Sequence, residues 1–440
     1  MDNKRVHPFF MPLVAVADID QILGQLVLRQ AIPPFTPIVS DFLVSAISIA
    51  AFAIQAILIF ILYRMIRKVR LGRMINRISL IFSATQLTII SLFTFTIVQF
   101  LLFSYYHTAV PALGEQLAYF WAIFLTGLLA ARLLTWFRSS REITMLLYGL
   151  FAVFLTLYMV TRTFARTQLL LDLNPIMDSQ SHPFNSIGGV PYFIQLVNAE
   201  AVLDILGFLS IWSASILLLL HYTRKLGKGV VISACALPVV PPTIAYVVLV
   251  LIYATNADEA ADTFFKVGTI TFLLQGLASG IIFGLPFLLI GSKLKGNTLV
   301  VRKYLLIAFA GMVLFHVTNL SALEFTLFPP YGFASVSSLP ISAYVLFIGI
   351  YLSVAVVASD VNLRANIRKL LVEDPKILNQ LADAEMQKQM HQHIKTLLIK
   401  AEAIQRVGLD KSSLESLSEE EIKDYISDVM EEIHGSRKNA

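Results

Sequence analysis

Several charged and polar side chains fall within stretches of the sequence that are otherwise almost free of charge. Glu200 and Asp204 stand four residues apart, so they share one face of a helix. His316 and Asn319 stand three residues apart and are also neighbours on one face. Charges inside apolar spans are costly and often mark a function. The pattern predicts a polar pocket near the external ends of the spans, formed by Glu200, Asp204, Lys266, His316, Asn319 and Glu324.

Such a pocket would suit a cation or a small polar ligand, because converging carboxylates repel one another unless a cation or a proton intervenes. The alternative is that these are ordinary interfacial residues, with an internal pair such as Lys266 and an acid. No His or Cys pair has a carboxylate at metal-ligand spacing, and no nucleophile–base set is visible. The sequence therefore predicts no catalytic residue, no cofactor and no metal site.

Prolines and glycines mark two helices of unusual geometry. The segment ALPVVPPT at 236–243 must kink or break its helix, because each proline removes a backbone donor. Broken helices form substrate sites in transporters, but plain kinks also have this origin. The prolines are Pro238, Pro241 and Pro242. In the next apolar stretch, glycines four residues apart allow close approach of another helix. They are Gly276, Gly280 and Gly284.

The composition places the elements that carry these residues in a membrane. Hydrophobic residues make up 57% of the 440 residues and charged residues only 14%, with a mean hydropathy of +0.73. A soluble domain is about a quarter charged. The residues from Asp360 onward carry 12 Lys and Arg against 15 Asp and Glu, whereas the first 359 residues carry 22 against 14. The net positive charge of the chain therefore comes from the apolar residues 1–359, and the tail is mildly acidic.

Nine stretches are long and apolar enough to span a bilayer, which takes about 20 residues. They are 41–63, 78–104, 115–137, 143–163, 201–222, 229–254, 265–292, 304–323 and 338–359. The predicted fold is an all-α membrane bundle of about nine helices. The predicted domains are an external segment at 1–40, the membrane domain at 41–359 with an external loop at 164–200, and a cytoplasmic helical tail at 360–440.

Basic residues follow every odd-numbered span. The first joint, YRMIRKVRLGRMINR at 63–77, holds Arg64, Arg67, Lys68, Arg70, Arg73 and Arg77. The later joints hold Arg138 and Arg141, then Arg224, Lys225 and Lys228, then Lys293, Lys295, Arg302 and Lys303, then Arg364, Arg368 and Lys369. Short basic loops stay in the cytoplasm, so the pattern predicts an external N-terminus and a cytoplasmic C-terminus. These residues set topology and contact anionic lipid of the cell membrane. No aromatic residue interleaves the first joint after Tyr63, so no nucleic-acid partner is expected.

The two ends of the chain differ from the spans. Near the N-terminus we expect an external or interfacial helix near 18–31, while Ala15 and Ala17 leave a cleaved signal open. The proline- and glycine-rich loop at 164–200 is the natural lid over an outer cavity. In the tail, apolar residues at helical spacing predict amphipathic helices over 376–433, with a short coiled coil as one arrangement. Such helices need each other or a partner chain.

The segment PPYGFASVSSLPISAYVLFIGIYLSVAVVASDVNLRANIRK, together with AEMQKQM in the tail, resembles a group of uncharacterised archaeal multi-pass membrane proteins. The likeness covers about the last quarter of the chain. It implies a multi-pass membrane fold, and it brings no activity, substrate or site residues with it.

Two function classes follow from these patterns. The first is a receptor or signalling scaffold, in which an outer pocket senses a ligand and the tail recruits a partner. The second is a secondary transporter that uses the proline-broken sixth span and the glycine-striped seventh. An odd span count and the lack of an internal repeat favour the first class. A membrane enzyme ranks third.

Overall fold

The protein is an almost wholly helical chain in the computed structural model. The structure describes residues 7–28, 37–68, 73–171, 176–178, 191–221, 227–240, 243–244, 247, 257–294, 298–319, 331–359, 363 and 385–386. Within these ranges the helices are α1 His7–Leu28, α2 Pro37–Lys68, α3 Arg73–Phe103, α4 Ala109–Ser140, α5 Ile143–Leu171, α6 Pro191–His221, α7 Lys228–Ala236, α8 Ala257–Lys293, α9 Leu299–Asn319 and α10 Phe333–Ser359. Strands β1 Tyr105–His107 and β2 Ile176–Asp178 pair antiparallel.

Eight helices of the described part are long and apolar enough to cross a membrane. The segments are Phe42–Arg67, Ile75–Phe103, Ala109–Ser139, Ile143–Ala165, Ala199–Leu220, Gln275–Lys293, Leu299–Asn319 and Phe333–Ala358. The chain is therefore a polytopic membrane protein with apolar helices that suit contact with a lipid bilayer. Each segment overlaps a predicted span. The remaining predicted span, the sixth at 229–254, is described only in part, so the count of nine stays a prediction.

Helix α10 is the central element of the bundle. Every residue from Tyr331 to Ala355 is buried, because α1, α2, α3, α4 and α9 all pack against this helix. A helix that is apolar on all faces requires such an enclosed position. It starts five residues before the predicted span at 338–359, since Gly332 adopts a left-handed φ of 76° and ends the preceding turn. Phe333 and Ser335 therefore belong to the core rather than to an external turn.

Helices α8 and α9 approach closely at two glycines of the predicted stripe. A Cβ atom added at Gly280 would lie 2.8 Å from the Val313 Cα, and one added at Gly284 would lie 2.8 Å from the Phe309 ring. Helices α9 and α10 also approach closely, since a Cβ at Gly311 would lie 2.6 Å from the Leu346 nitrogen. These contacts hold α8, α9 and α10 at a distance that larger side chains would not allow.

Helix α1 differs from the prediction for the N-terminal segment. It begins at His7 rather than near residue 18, and it contains Pro12. The helix continues through Pro12, which removes a single backbone hydrogen-bond donor and has an exposed ring. The helix packs against α2, α9 and α10 through a buried face at helical spacing. That face consists of Phe10, Leu13, Val14 and Ala17.

Of the three prolines predicted to kink or break a helix, the structure describes Pro238, which lies in a turn. Helix α7 ends at Ala236 and is followed by a turn over 237–239, in which the Val239 nitrogen bonds the Ala236 carbonyl at 3.0 Å. Pro241 and Pro242 lie outside the described residues. The predicted tail helices do too, apart from 385–386, and so does Arg70 of the first basic joint.

Candidate functional site

A cavity of about 50 Å³ lies between α5, α6, α8 and α9. Its polar lining residues are Tyr158, Asp204, Gln275, Ser279, His316 and Asn319. Its apolar lining includes Phe151, Phe208 and Ile211. About 10–15 Å³ suffices for one water molecule, so the cavity holds a few waters or one small ligand. Helix α6 begins and helix α9 finishes at the same end of the bundle as this cavity. We call it the cavity end.

Charged residues surround the mouth of this cavity. Asp204 is exposed on α6 and interacts electrostatically with Arg162 of α5. The Arg162 guanidinium donates to the Tyr158 hydroxyl and lies 5.5 Å from the centre of its ring. Glu200 also acts electrostatically on Tyr158. Two carboxylates and one guanidinium therefore lie within electrostatic range of Tyr158, and the formal charges of these three side chains sum to −1 when all are ionised.

His316 presents an imidazole in an aromatic setting. Its ring stacks on Phe151 with a centroid distance of 6.0 Å and meets the edge of Phe283 at 5.2 Å. Its Nδ1 lies 3.0 Å from the Met312 carbonyl oxygen. A carbonyl only accepts hydrogen bonds, so Nδ1 carries the proton and Nε2 is the acceptor of the neutral ring.

Three of the six residues predicted to form a pocket line this one cavity: Asp204, His316 and Asn319. They come from α6 and α9, which are distant in sequence. Glu200 lies nearby through its interaction with Tyr158. The side chains of Lys266 and Glu324 lie outside the described part of the chain. Arg162 is a cation beside Asp204 that sequence reasoning missed, because it stands at a span edge.

The cavity reaches about the middle of the bundle, where its lining becomes apolar. Phe151 lies near the centre of the candidate span Ile143–Ala165. One turn farther from the cavity end, the hydroxyls of Tyr148 and Ser215 are near each other but make no hydrogen bond of normal geometry. The Ser279 hydroxyl on the cavity wall has no hydrogen-bond partner among the described residues either. Buried hydroxyls without partners are rare, so this region is suited to small polar ligands.

A second polar cluster surrounds the N-terminus of α10. The fully buried Asp20 carboxylate accepts hydrogen bonds from the Gly332 N–H, the Ser335 N–H and the Ser335 hydroxyl, each at 3.1 Å. These bonds satisfy backbone donors that a helix start leaves unpaired, and the helix dipole favours negative charge at this end. Burial nevertheless raises the pKa of Asp20 to about 6, against the opposing effect of these hydrogen bonds.

The amides of two glutamines continue this cluster into the core. Gln55 on α2 donates to the hydroxyls of Ser337 at 2.8 Å and Ser338 at 2.9 Å. Gln86 on α3 donates to the Ser337 carbonyl at 2.7 Å. Sequence reasoning missed this network, because it searched the spans for charge and did not weigh neutral amides. Glutamines within apolar spans were the available signal.

No metal centre is present among the described residues, where no three His, Cys, Asp or Glu side chains group as ligands. Comparison with known proteins does not assign the site either. No family model, no curated protein and no solved structure matches this chain.

Proposed function

We propose that this chain is a membrane receptor that binds a small cation in the cavity and acts through its cytoplasmic tail. The observation that carries the proposal is the lining of one cavity by Asp204, His316 and Asn319. A polar cavity with charge at its mouth, inside an apolar bundle, is the default position for a ligand site.

The charge and the surfaces of the cavity favour a small organic cation. Asp204 and Glu200 exceed Arg162 by one negative charge. One face of the Phe151 ring is stacked on His316, and the Tyr158 ring already contacts Arg162. The other aromatic lining, which includes Phe208, would attract a cation in a site shielded from water. With a volume of about 50 Å³, the cavity fits an ammonium group with one or two methyl groups rather than a drug-sized molecule.

The basic joints support an orientation with the cavity end outside. Arg64 and Arg67 lie at the end of α2, and Arg138 lies in the last turn of α4, both at the end of the bundle opposite the cavity. Basic residues in short loops favour the cytoplasmic side. With this orientation the ligand arrives from outside, and the C-terminal tail at 360–440 is available to a protein partner or to a second copy.

The central helix gives the receptor a path between its two ends. His316 lies on α9, which packs along α10 with close contact at Gly311 and Leu346. Helix α10 then continues to Tyr351 near the opposite end. A ligand that shifts α9 would therefore bias α10 directly, because closely packed helices move as units with discrete arrangements.

A secondary transporter is the second candidate. The turn at Pro238 and the hydroxyls of Tyr148 and Ser215 beyond the cavity base favour it. Discontinuous helices and polar groups near the midplane are features of transporter sites. Under this alternative the ligand passes beyond Phe151, and under the receptor proposal it does not.

Methylammonium binding and uptake test both candidates. The full chain in lipid nanodiscs is titrated with methylammonium by calorimetry, with Asp204→Asn as the test variant and Glu142→Gln as the control at the opposite end. We expect at least about a tenfold loss of affinity for Asp204→Asn, because a charged partner is lost, and no change for Glu142→Gln. Equal affinity in all three proteins contradicts the proposal. Uptake into proteoliposomes above the protein-free level favours the transporter.

A further inference from the structure

The start of the tail is bound to the membrane domain by its Glu385 side chain. The carboxylate is buried, and the Trp136 indole N–H on α4 donates to its Oε2 at 2.9 Å. The Arg132 guanidinium, one turn earlier on α4, lies 3.8 Å from the same oxygen. Arg132 also lies 5.3 Å from the centre of the Tyr351 ring on α10. We call Arg132, Trp136, Tyr351 and Glu385 the Glu385 site.

The three partner residues form a site that is specific for a carboxylate. An indole N–H and a guanidinium only donate hydrogen bonds, so both require an acceptor. Trp136 is 1% exposed, which means that its N–H would be costly to leave unpaired. The Tyr351 ring positions the guanidinium through a cation–π contact. A buried carboxylate in turn needs such donors, because a buried unpaired charge is unstable.

The site connects three parts of the chain at one point. It joins α4, the central helix α10 and the first part of the tail, which are far apart in sequence. Any shift of α10 against α4 moves Tyr351 and with it the Arg132 guanidinium. The strength of tail binding therefore depends on the arrangement of two membrane helices.

We propose that the inner ends of α4 and α10 form a carboxylate-binding site whose ligand is Glu385 of the same chain, and that its release frees the tail for a partner. The bound state holds Glu385 against α4 and α10. The released state frees Glu385 from both helices. The test of release uses no cavity ligand, so this proposal and the proposed receptor function can fail separately.

Limited proteolysis of the full chain measures release. Trypsin binds an extended stretch of chain on both sides of the bond that it cleaves, and Lys388 follows Glu385 by three residues. We therefore expect release of Glu385 to speed cleavage after Lys388, and mass spectrometry identifies that product from protein in nanodiscs. We expect Glu385→Gln and Trp136→Phe each to raise the initial rate about tenfold, because each removes a charge-assisted hydrogen bond. The double variant is expected to be no more than about twice as fast as the faster single variant, since both changes remove one shared contact.

Glu142→Gln is the matched control, because it removes the charge of a carboxylate just before α5 that is not one of the four residues of the Glu385 site. Its cleavage rate should equal that of the unchanged protein. Trp136→Phe retains an aromatic ring and deletes the donor, so it tests the proposal even if Glu385→Gln does not fold. An unchanged rate in Trp136→Phe overturns the proposal. The proposal is also overturned if the fold increase in cleavage rate of the double variant equals the product of the two single increases, because the two side chains then act independently.

Discussion

The Asp20 carboxylate lies 3.1 Å from the backbone nitrogen of Ser335, which is 315 positions later in the chain. One helix thereby caps another, because Asp20 on α1 satisfies donors at the start of the central helix α10. The contact joins the N-terminal segment to the element around which the other helices pack. It also buries the Asp20 carboxylate, so that its protonation depends on the surrounding protein.

Replacing Asp20 by Asn should change how the stability of the protein depends on pH. Burial raises the pKa of Asp20 from 3.8 to about 6, so the native state retains the proton over a range where the unfolded state has lost it. Stability is therefore highest below about pH 3.8, falls as the pH rises to about 6, and is constant above that. At pH 7 the ionised carboxylate costs up to about 3 kcal/mol.

The Asn side chain carries no charge at any pH, but its amide nitrogen cannot accept the hydrogen bonds that one Asp20 oxygen accepts. The unfolding temperature of Asp20→Asn minus that of the unchanged protein should therefore be larger at pH 7 than at pH 4. Thermal unfolding in one detergent at several pH values measures this difference. Asp18 also has its pKa raised to about 6 by burial and contributes pH dependence of its own to both proteins. A difference that is the same at pH 4 and pH 7 would show that Asp20 does not titrate as inferred.

Gly280→Ala should destabilise the protein and weaken ligand binding together. The added Cβ would lie 2.8 Å from the Val313 Cα and 3.3 Å from the His316 Cβ, so α9 must shift away from α8. Overpacking of this kind costs about 1–3 kcal/mol. Gly229→Ala is the control, because nothing lies within 4 Å of a Cβ there. Thermal unfolding and methylammonium titration of both variants would show no difference between them if the close approach of α8 and α9 were unimportant.

Cysteine labelling should report the orientation of the chain. The natural Cys235 is first replaced by Ser, since it is the single cysteine of the sequence. In intact cells, cysteines at Gly72 and Lys295 should resist a membrane-impermeant thiol reagent, and one at Asp258 should react with it. All three should react after the cells are opened. Labelling of the Gly72 variant in intact cells would reverse the orientation, and the cavity would then face the cytoplasm.

The sequence predicts the membrane spans well because hydropathy acts locally. Each of the eight described spans overlaps a predicted one, with ends that differ by up to ten residues, as at Gln275–Lys293 against the predicted 265–292. Helix α10 starts at Phe333 because Gly332 turns the chain and Asp20 caps it, and neither effect is visible in local composition. The contact between Asp20 and Ser335 could not be foreseen either, because the two residues are 315 positions apart in the chain.

The candidate site could be predicted only in part, for a similar reason. Asp204, His316 and Asn319 were found because charged and polar groups stand out in apolar spans. Their convergence depends on the packing of α6 against α5 and of α9 against α8, which the sequence does not specify. Arg162 was missed because it stands at the edge of a span, where basic residues are ordinary. Its role depends on α6, which brings Asp204 next to it.

The most direct test of the central claim is a double-variant cycle between Asp204 and His316. Methylammonium affinity is measured by calorimetry for the unchanged protein, Asp204→Asn, His316→Phe and the double variant, all in the same nanodiscs. If both side chains contact one bound cation, the loss of binding free energy in the double variant should differ by about 0.5–3 kcal/mol from the sum of the losses in the two single variants. Losses that add within about 0.3 kcal/mol, or an unchanged protein that binds no methylammonium, would contradict a shared ligand site.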